Sequence, residues 1–125
     1  MKNLVLFDID GTLLRSGPIP MACLAAAFTK VTSYTFPAVQ AAGKTDPLIV
    51  REAFRLVGIP KRDWVELEQR ILRKYPLYLE RDNQELRAHS VLLEGVEGLL
   101  TYLHSRQCPM GLLTGNLENT ARRKL

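Results

Sequence analysis

Cysteine is nearly absent from the chain: Cys23 and Cys108 stand far apart, with no CxxC pair and no ligand pattern beside either. That excludes a structural zinc site or a disulfide scaffold and leaves two reduced core thiols as the expectation. Long apolar runs are missing too. The longest, Met21 to Phe28, falls well short of the roughly 18 residues that span a bilayer, so no membrane partner is expected. The start does not read as a signal peptide, because the short run Leu4–Phe7 gives way at once to Asp8 and Asp10 with no small-residue cleavage site. The expected compartment is the cytoplasm. Charge of one sign is nowhere concentrated. The 17 Lys and Arg against 13 Asp and Glu give +4, but from Arg51 to Lys74 the basic residues alternate with Glu52, Asp63, Glu66 and Glu68. That mixture is a solvated helix face, and no nucleic acid partner is expected; a mildly basic surface suits a phosphorylated substrate. What remains is enough for one folded unit: 125 residues, 46% hydrophobic, without the composition of a disordered chain.

Asn3 to Phe7 is a short continuous apolar run ending in Asp8-Ile9-Asp10-Gly11, which predicts a strand buried on both faces, the first of a parallel sheet. Gly17, Pro18 and Pro20 break the chain before an Ala-rich helix over 21–31. Asp46-Pro47 reads as a helix start, Asp46 capping and Pro47 first in the helix, with apolar spacing through Val57 until Gly58 closes it. Asp63 opens a further helix whose apolar positions Val65, Leu67, Ile71, Leu72 and Tyr75 recur at helical spacing, and Pro76 is expected to kink or divide it. Residues 21 to about 86 therefore read as consecutive helices without a strand. A helix from Val96 to near Arg106, a second short strand Pro109–Leu113 and the turn Thr114-Gly115-Asn116 follow. His89 and His104, without partners, read as surface residues, and Trp64 and the tyrosines as packing residues.

In open parallel α/β sheets the ligand lies beyond the carboxyl ends of the strands, which gathers Asp8, Asp10, Thr114, Gly115 and Asn116 at one candidate site. Residues i and i+2 of a strand share a face, so Asp8 and Asp10 can enter one pocket. Two such carboxylates repel unless a cation intervenes or one takes up a proton; a hard divalent ion such as magnesium answers the first need, and a raised pKa suits a general acid. An ordinary Asp-Gly turn after a strand is the structural alternative on residue types alone. Gly43-Lys44-Thr45 matches the end of a phosphate-binding P-loop, but Ala38 stands where that motif needs its first glycine and Phe36-Pro37 where it needs a strand, which excludes it.

The run Asp8-Ile9-Asp10-Gly11-Thr12-Leu13 resembles the first motif, DxDGT, of the haloacid dehalogenase-like hydrolases, and Thr114-Gly115-Asn116 after Gly111-Leu112-Leu113 resembles the second. The helical block between them resembles the cap of the phosphoglycolate phosphatase-like branch, with Gly43-Lys44-Thr45-Asp46 similar to the loop lowered over substrate. The resemblance implies an α/β fold: a Rossmann-like parallel-sheet core, incomplete here with two strands, formed by residues 1–14 and 89–125, and an inserted all-helical cap over 15–88. It implies a magnesium-dependent phosphatase acting on a small phosphorylated metabolite. Asp8 would be the nucleophile and Asp10 the general acid and base. Mg2+ would be held by Asp8 and Asp10, the latter through its backbone carbonyl, and phosphoryl oxygens by Thr114, Gly115 and Asn116. Lys44 and Thr45 would be substrate-side cap residues, with an exposed solvated lysine as the alternative for Lys44. Asp10 argues against a true dehalogenase, which lacks the second aspartate.

The resemblance also shows what is not there. The family's lysine motif and its acidic metal-binding pair both follow the second strand, and neither is present before Leu125, so the chain reads as truncated after the second motif. On that reading no lysine reaches the site, the 125 residues alone lack activity, and the uncovered sheet edge permits self-association. Arg15 stands where relatives commonly carry Asp. Rival readings are a phosphomutase of the same branch and a catalytically incomplete phosphate-binding or interaction module. A receiver domain is disfavoured, because its acceptor Asp ends a middle strand and only helices lie there.

Overall fold

A computed structural model describes residues 3–125. The first strand, β1 (Val5–Phe7), pairs in parallel with the last, β4 (Met110–Leu112), in the register Val5 to Met110 and Phe7 to Leu112. Everything between them is an excursion. Two short strands, β2 (Leu14–Arg15) and β3 (Val91–Leu92), pair antiparallel, Leu14 against Leu92 and Arg15 against Val91. This ribbon joins the two passages of the chain between sheet and helical block. The sequence reading did not contain it, since two-residue strands with Val91 and Leu92 exposed carry no periodic signal.

The helical block holds α1 (Ile19–Thr32), α2 (Asp46–Val57), α3 (Trp64–Arg81) and α4 (Asn83–His89). Its core is aromatic at the centre. Phe28 and Phe54 are fully buried, with Phe36 edge-on to Phe28 at 5.2 Å and Trp64 5.8 Å from Phe54. Leu24, Val50, Ala53, Ile71 and Leu79 complete the seam where the inward stripes of α1, α2 and α3 meet. The Trp64 indole N–H donates to the Ile59 carbonyl at 2.8 Å, which satisfies its polar end.

Three local expectations are corrected. Thr45, not Asp46, caps α2: its hydroxyl accepts from the Leu48 amide at 3.4 Å, and Asp46 and Pro47 are already helical. Pro76 neither divides nor ends α3, which runs on to Arg81 with Pro76 buried. The Pro76 carbonyl accepts from Arg123 Nε at 3.3 Å, which ties this part of α3 to the C-terminal helix. Val65, expected inward, is 63% exposed because it lies off the stripe set by Ile71, Tyr75 and Leu79. Gly58 closes α2 at φ +82, as its position in the sequence requires.

The sheet departs from expectation as well. Rather than being buried on both faces, β1 and β4 leave Leu6 on one face and Leu112 on the other about half exposed. Helix α5 (Val96–Ser105) likewise leaves Leu99 and Tyr102 in solvent. The inner face buries Ile9, which packs with Leu14 and with Ala121 of the last helix, α6 (Glu118–Lys124). Cys23 is buried, whereas Cys108 is only partly so and is not a core thiol; both are free. His89 and His104 are exposed. Among the described residues no helix is long and apolar enough to cross a membrane.

Candidate active site

The turn after β1 is built by Ile9. Its side chain is fully buried and its carbonyl accepts from the amides of Leu13 and Leu14 at 3.0 and 3.2 Å, which leaves Asp8 and Asp10 on the exposed side of the chain. Gly11, at φ +77, takes the left-handed conformation that reverses the chain there. The turn after β4 is a hydroxyl-stabilised loop: Thr114 Oγ1 accepts from the Asn116 amide at 3.1 Å and from its side-chain Nδ2 at 2.8 Å.

The parallel pairing of β1 and β4 brings the two turns together. Asn116 Nδ2 donates to Asp10 Oδ2 at 2.8 Å, bridging the two sequence motifs. Asp8, Asp10, Gly115, Asn116 and Lys44 line one cavity of about 700 Å³ between the strand ends and the helical block. Its far wall is apolar, with Met21, Leu24 and Ile49 contributing. Thr45 and Thr114 do not line it; their hydroxyls cap α2 and support the Asn116 turn. Lys44 does line it, with its ammonium paired to Glu52. Arg15, on the ribbon, and Ser16, just after it, reach the same cavity, and the buried Ser16 hydroxyl has no partner among the described residues.

The helical block touches the β4 turn directly. The Asp46 amide donates to the Gly115 carbonyl at 3.1 Å, and the Leu117 amide donates to Asp46 Oδ2 at 3.4 Å. A side chain on Gly115 would stand 2.9 Å from the Lys44 carbonyl oxygen, so only glycine lets the loop seat there. Burial pushes the Asp46 carboxyl up, opposed by the positive charge of Lys124 and by the Leu117 amide. Tyr75, buried on the cavity wall, has its hydroxyl pushed well above the usual phenol range, first by burial and then by the Asp46 and Asp10 carboxylates.

One cation was missed. Lys124 Nζ donates to Asp10 Oδ1 and Oδ2 at 3.2 and 3.1 Å and to Asn116 Oδ1 at 2.7 Å, with its side chain only 6% exposed. This corrects the expectation that no lysine reaches the site. The signal lay in helical spacing: Thr120 and Ala121 are the buried face of α6, and Lys124 falls one turn further along it.

The donor set is chemically suited to magnesium, since Asp8 and the Asp10 carbonyl offer hard oxygens and this ion retains several waters. Among the described residues no cluster of three acidic, His or Cys side chains is formed.

An acidic pair at the carboxyl end of a parallel strand thus faces a hydroxyl-bearing turn on the neighbouring strand, across a cavity shared with the inserted helical block. The family model for haloacid dehalogenase-like hydrolases matches residues 2–125, and the chain belongs to that family. No curated protein matches it. Solved structures share the fold at low identity. A hydrolase from Pseudomonas syringae is 21% identical with TM-score 0.70, the match covering 99% of this chain and 54% of that one. A predicted phosphoglycolate phosphatase from Haemophilus somnus is 17% identical with TM-score 0.60, covering 94% and 53%. A likewise predicted one from Lactobacillus plantarum is 21% identical with TM-score 0.61, covering 100% and 56%. The chain thus spans about half the length of the solved structures it matches.

Proposed function

We propose that the site hydrolyses the phosphate ester of a small metabolite through an aspartyl-phosphate on Asp8, with residues 15–88 as the cap that selects the substrate. The observation supporting this reading is the bridge from Asn116 to Asp10, with Asp8, Asp10, Gly115 and Asn116 lining one cavity. Asp8 attacks phosphorus, the P–O bond to the alcohol breaks, and the departing oxygen takes the proton of the Asp10 carboxyl group. A water then attacks the aspartyl-phosphate and gives its proton to Asp10. The P–O bond to Asp8 breaks, releasing inorganic phosphate and restoring both side chains. The Gly115 amide would orient phosphoryl oxygens, while the Asn116 side chain, its Nδ2 donating to Asp10 and Thr114, ties the two turns together. Magnesium held by Asp8 and the Asp10 carbonyl would supply positive charge opposite the phosphoryl group.

The names of the Haemophilus and Lactobacillus proteins support a short phosphorylated acid as the substrate class. The test is phosphate release from a panel of phosphorylated metabolites, with and without chelator, on the longest natural chain that carries these residues. Chelator-sensitive turnover of one small ester is expected. No release from any member, or release unaffected by chelation, would overturn the reading.

A further inference from the structure

We infer that Lys124 is a positioning residue that fixes the Asp10 carboxylate for its work on the aspartyl-phosphate, an inference that rests on the phosphatase reading above. The argument starts from the cost of the arrangement. A lysine ammonium that is almost fully buried is expensive unless its protons are used. Lys124 uses them on one carboxylate and one amide oxygen, at 3.2, 3.1 and 2.7 Å. Asn116 closes the triangle, donating Nδ2 to Asp10 Oδ2 while accepting from Lys124 on Oδ1.

The outcome is directional. Asp10 is 49% exposed in its side chain and lies on a turn, where a free carboxylate would sample several rotamers. Bonds from Lys124 to both carboxylate oxygens and from Asn116 to Oδ2 hold it in one orientation at the cavity mouth. The anchor of the ammonium is itself firm, since α6 buries Thr120 and Ala121 and Arg123 pairs with Glu80 at 3.1 Å and with the Pro76 carbonyl. Lys124 is also the positive charge that offsets the buried Asp46 carboxylate of the cap loop.

A residue that only stabilises the fold would lower every step together, whereas one that aims Asp10 acts where Asp10 acts. With p-nitrophenyl phosphate the leaving group needs little protonation, so phosphoenzyme formation depends weakly on Asp10. Breakdown needs Asp10 to take the proton of water. Lys124→Met should therefore leave formation within about 3-fold of wild type, slow breakdown by about 10-fold or more, and raise the steady level of acid-stable, hydroxylamine-labile phosphoenzyme. Lys124→Arg, which keeps a charged donor, should recover part of the breakdown rate. Rapid-quench measurement of both steps, with Asp10→Asn alongside, separates the outcomes. Accumulation in both Asp10→Asn and Lys124→Met supports the inference. Accumulation in Asp10→Asn with wild-type breakdown in Lys124→Met overturns it and leaves the phosphatase reading standing. A parallel fall in formation and breakdown also overturns it. No phosphoenzyme in wild type or in Asp10→Asn removes the reading and the inference together. If the Met variant does not fold, Lys124→Gln is measured against the same criteria.

Discussion

Gly115→Ala probes the seat of the helical block on the β4 turn. The added Cβ would lie 2.9 Å from the Lys44 carbonyl oxygen and 3.2 Å from the Thr45 Cα, both backbone atoms that cannot swing aside. Ordinary carbon contacts sit at roughly 3.5–4.0 Å, so the loop over 43–46 must retreat by about half an ångström or more. Overpacking of this kind costs about 1–3 kcal/mol. Retreat also stretches the Asp46 amide to Gly115 carbonyl bond, now 3.1 Å, whose loss adds about 1 kcal/mol. Gly98→Ala is the control: Gly98 lies inside α5, with nothing within 4 Å of its Cβ position. There alanine should stabilise by about 0.5–1 kcal/mol through helix propensity. Hydrogen exchange at the Asp46 and Leu117 amides should quicken by about 30-fold or more in Gly115→Ala and stay unchanged in Gly98→Ala. Equal exchange in the two variants would refute the close seating of the loop.

Other outcomes follow from the same geometry. Asp10→Asn should lower turnover by roughly two to four orders of magnitude in steady-state assays. Asp46→Ala removes the acceptor of the Leu117 amide and should lower the melting free energy by about 1–3 kcal/mol, whereas Asp46→Asn keeps an oxygen there and should cost less in the same melts. Burial, reinforced by its hydrogen bond to Asp82, pushes the Cys23 thiol up to about 11 from 9.0. The folded chain therefore holds a proton between about 9 and 11 that the unfolded chain has lost, so stability falls as pH rises through that window, and melts of wild type against Cys23→Ala should show the excess loss. The unpaired outer edges of β1 and β4, with Leu6 and Leu112 about half exposed, should give concentration-dependent sedimentation, which Leu6→Lys should suppress.

The features that the sequence made legible are those fixed by short-range chemistry. The strand before Asp8, the glycine closing α2 and the apolar stripes of α1 to α3 all follow from local spacing, and the meeting of the Asp8–Asp10 turn with Thr114–Asn116 followed from parallel pairing. What stayed hidden depends on partners distant in sequence. The β2–β3 ribbon is held by pairing between residues whose side chains are largely outside the core, so no periodicity marks it. Around Pro76, α3 contacts Arg123, far along the chain, which no local pattern announces. Helical spacing puts Lys124 on the buried face of α6, but its partners Asp10 and Asn116 are set by the tertiary fold. Asp46, expected to cap its helix, instead serves as the acceptor for Leu117 across the cavity.

The central claim is that Asp8 carries the phosphoryl group. The direct measurement is acid quench of the protein during turnover with magnesium and a phosphate ester, followed by borohydride reduction and mass spectrometry of the peptide spanning Asn3 to Arg15. The account predicts that position 8 is converted to homoserine, and that Asp8→Asn, still folded by circular dichroism, gives no reduced residue anywhere in the chain. Homoserine at position 10 or elsewhere, or turnover in Asp8→Asn equal to wild type, would contradict it.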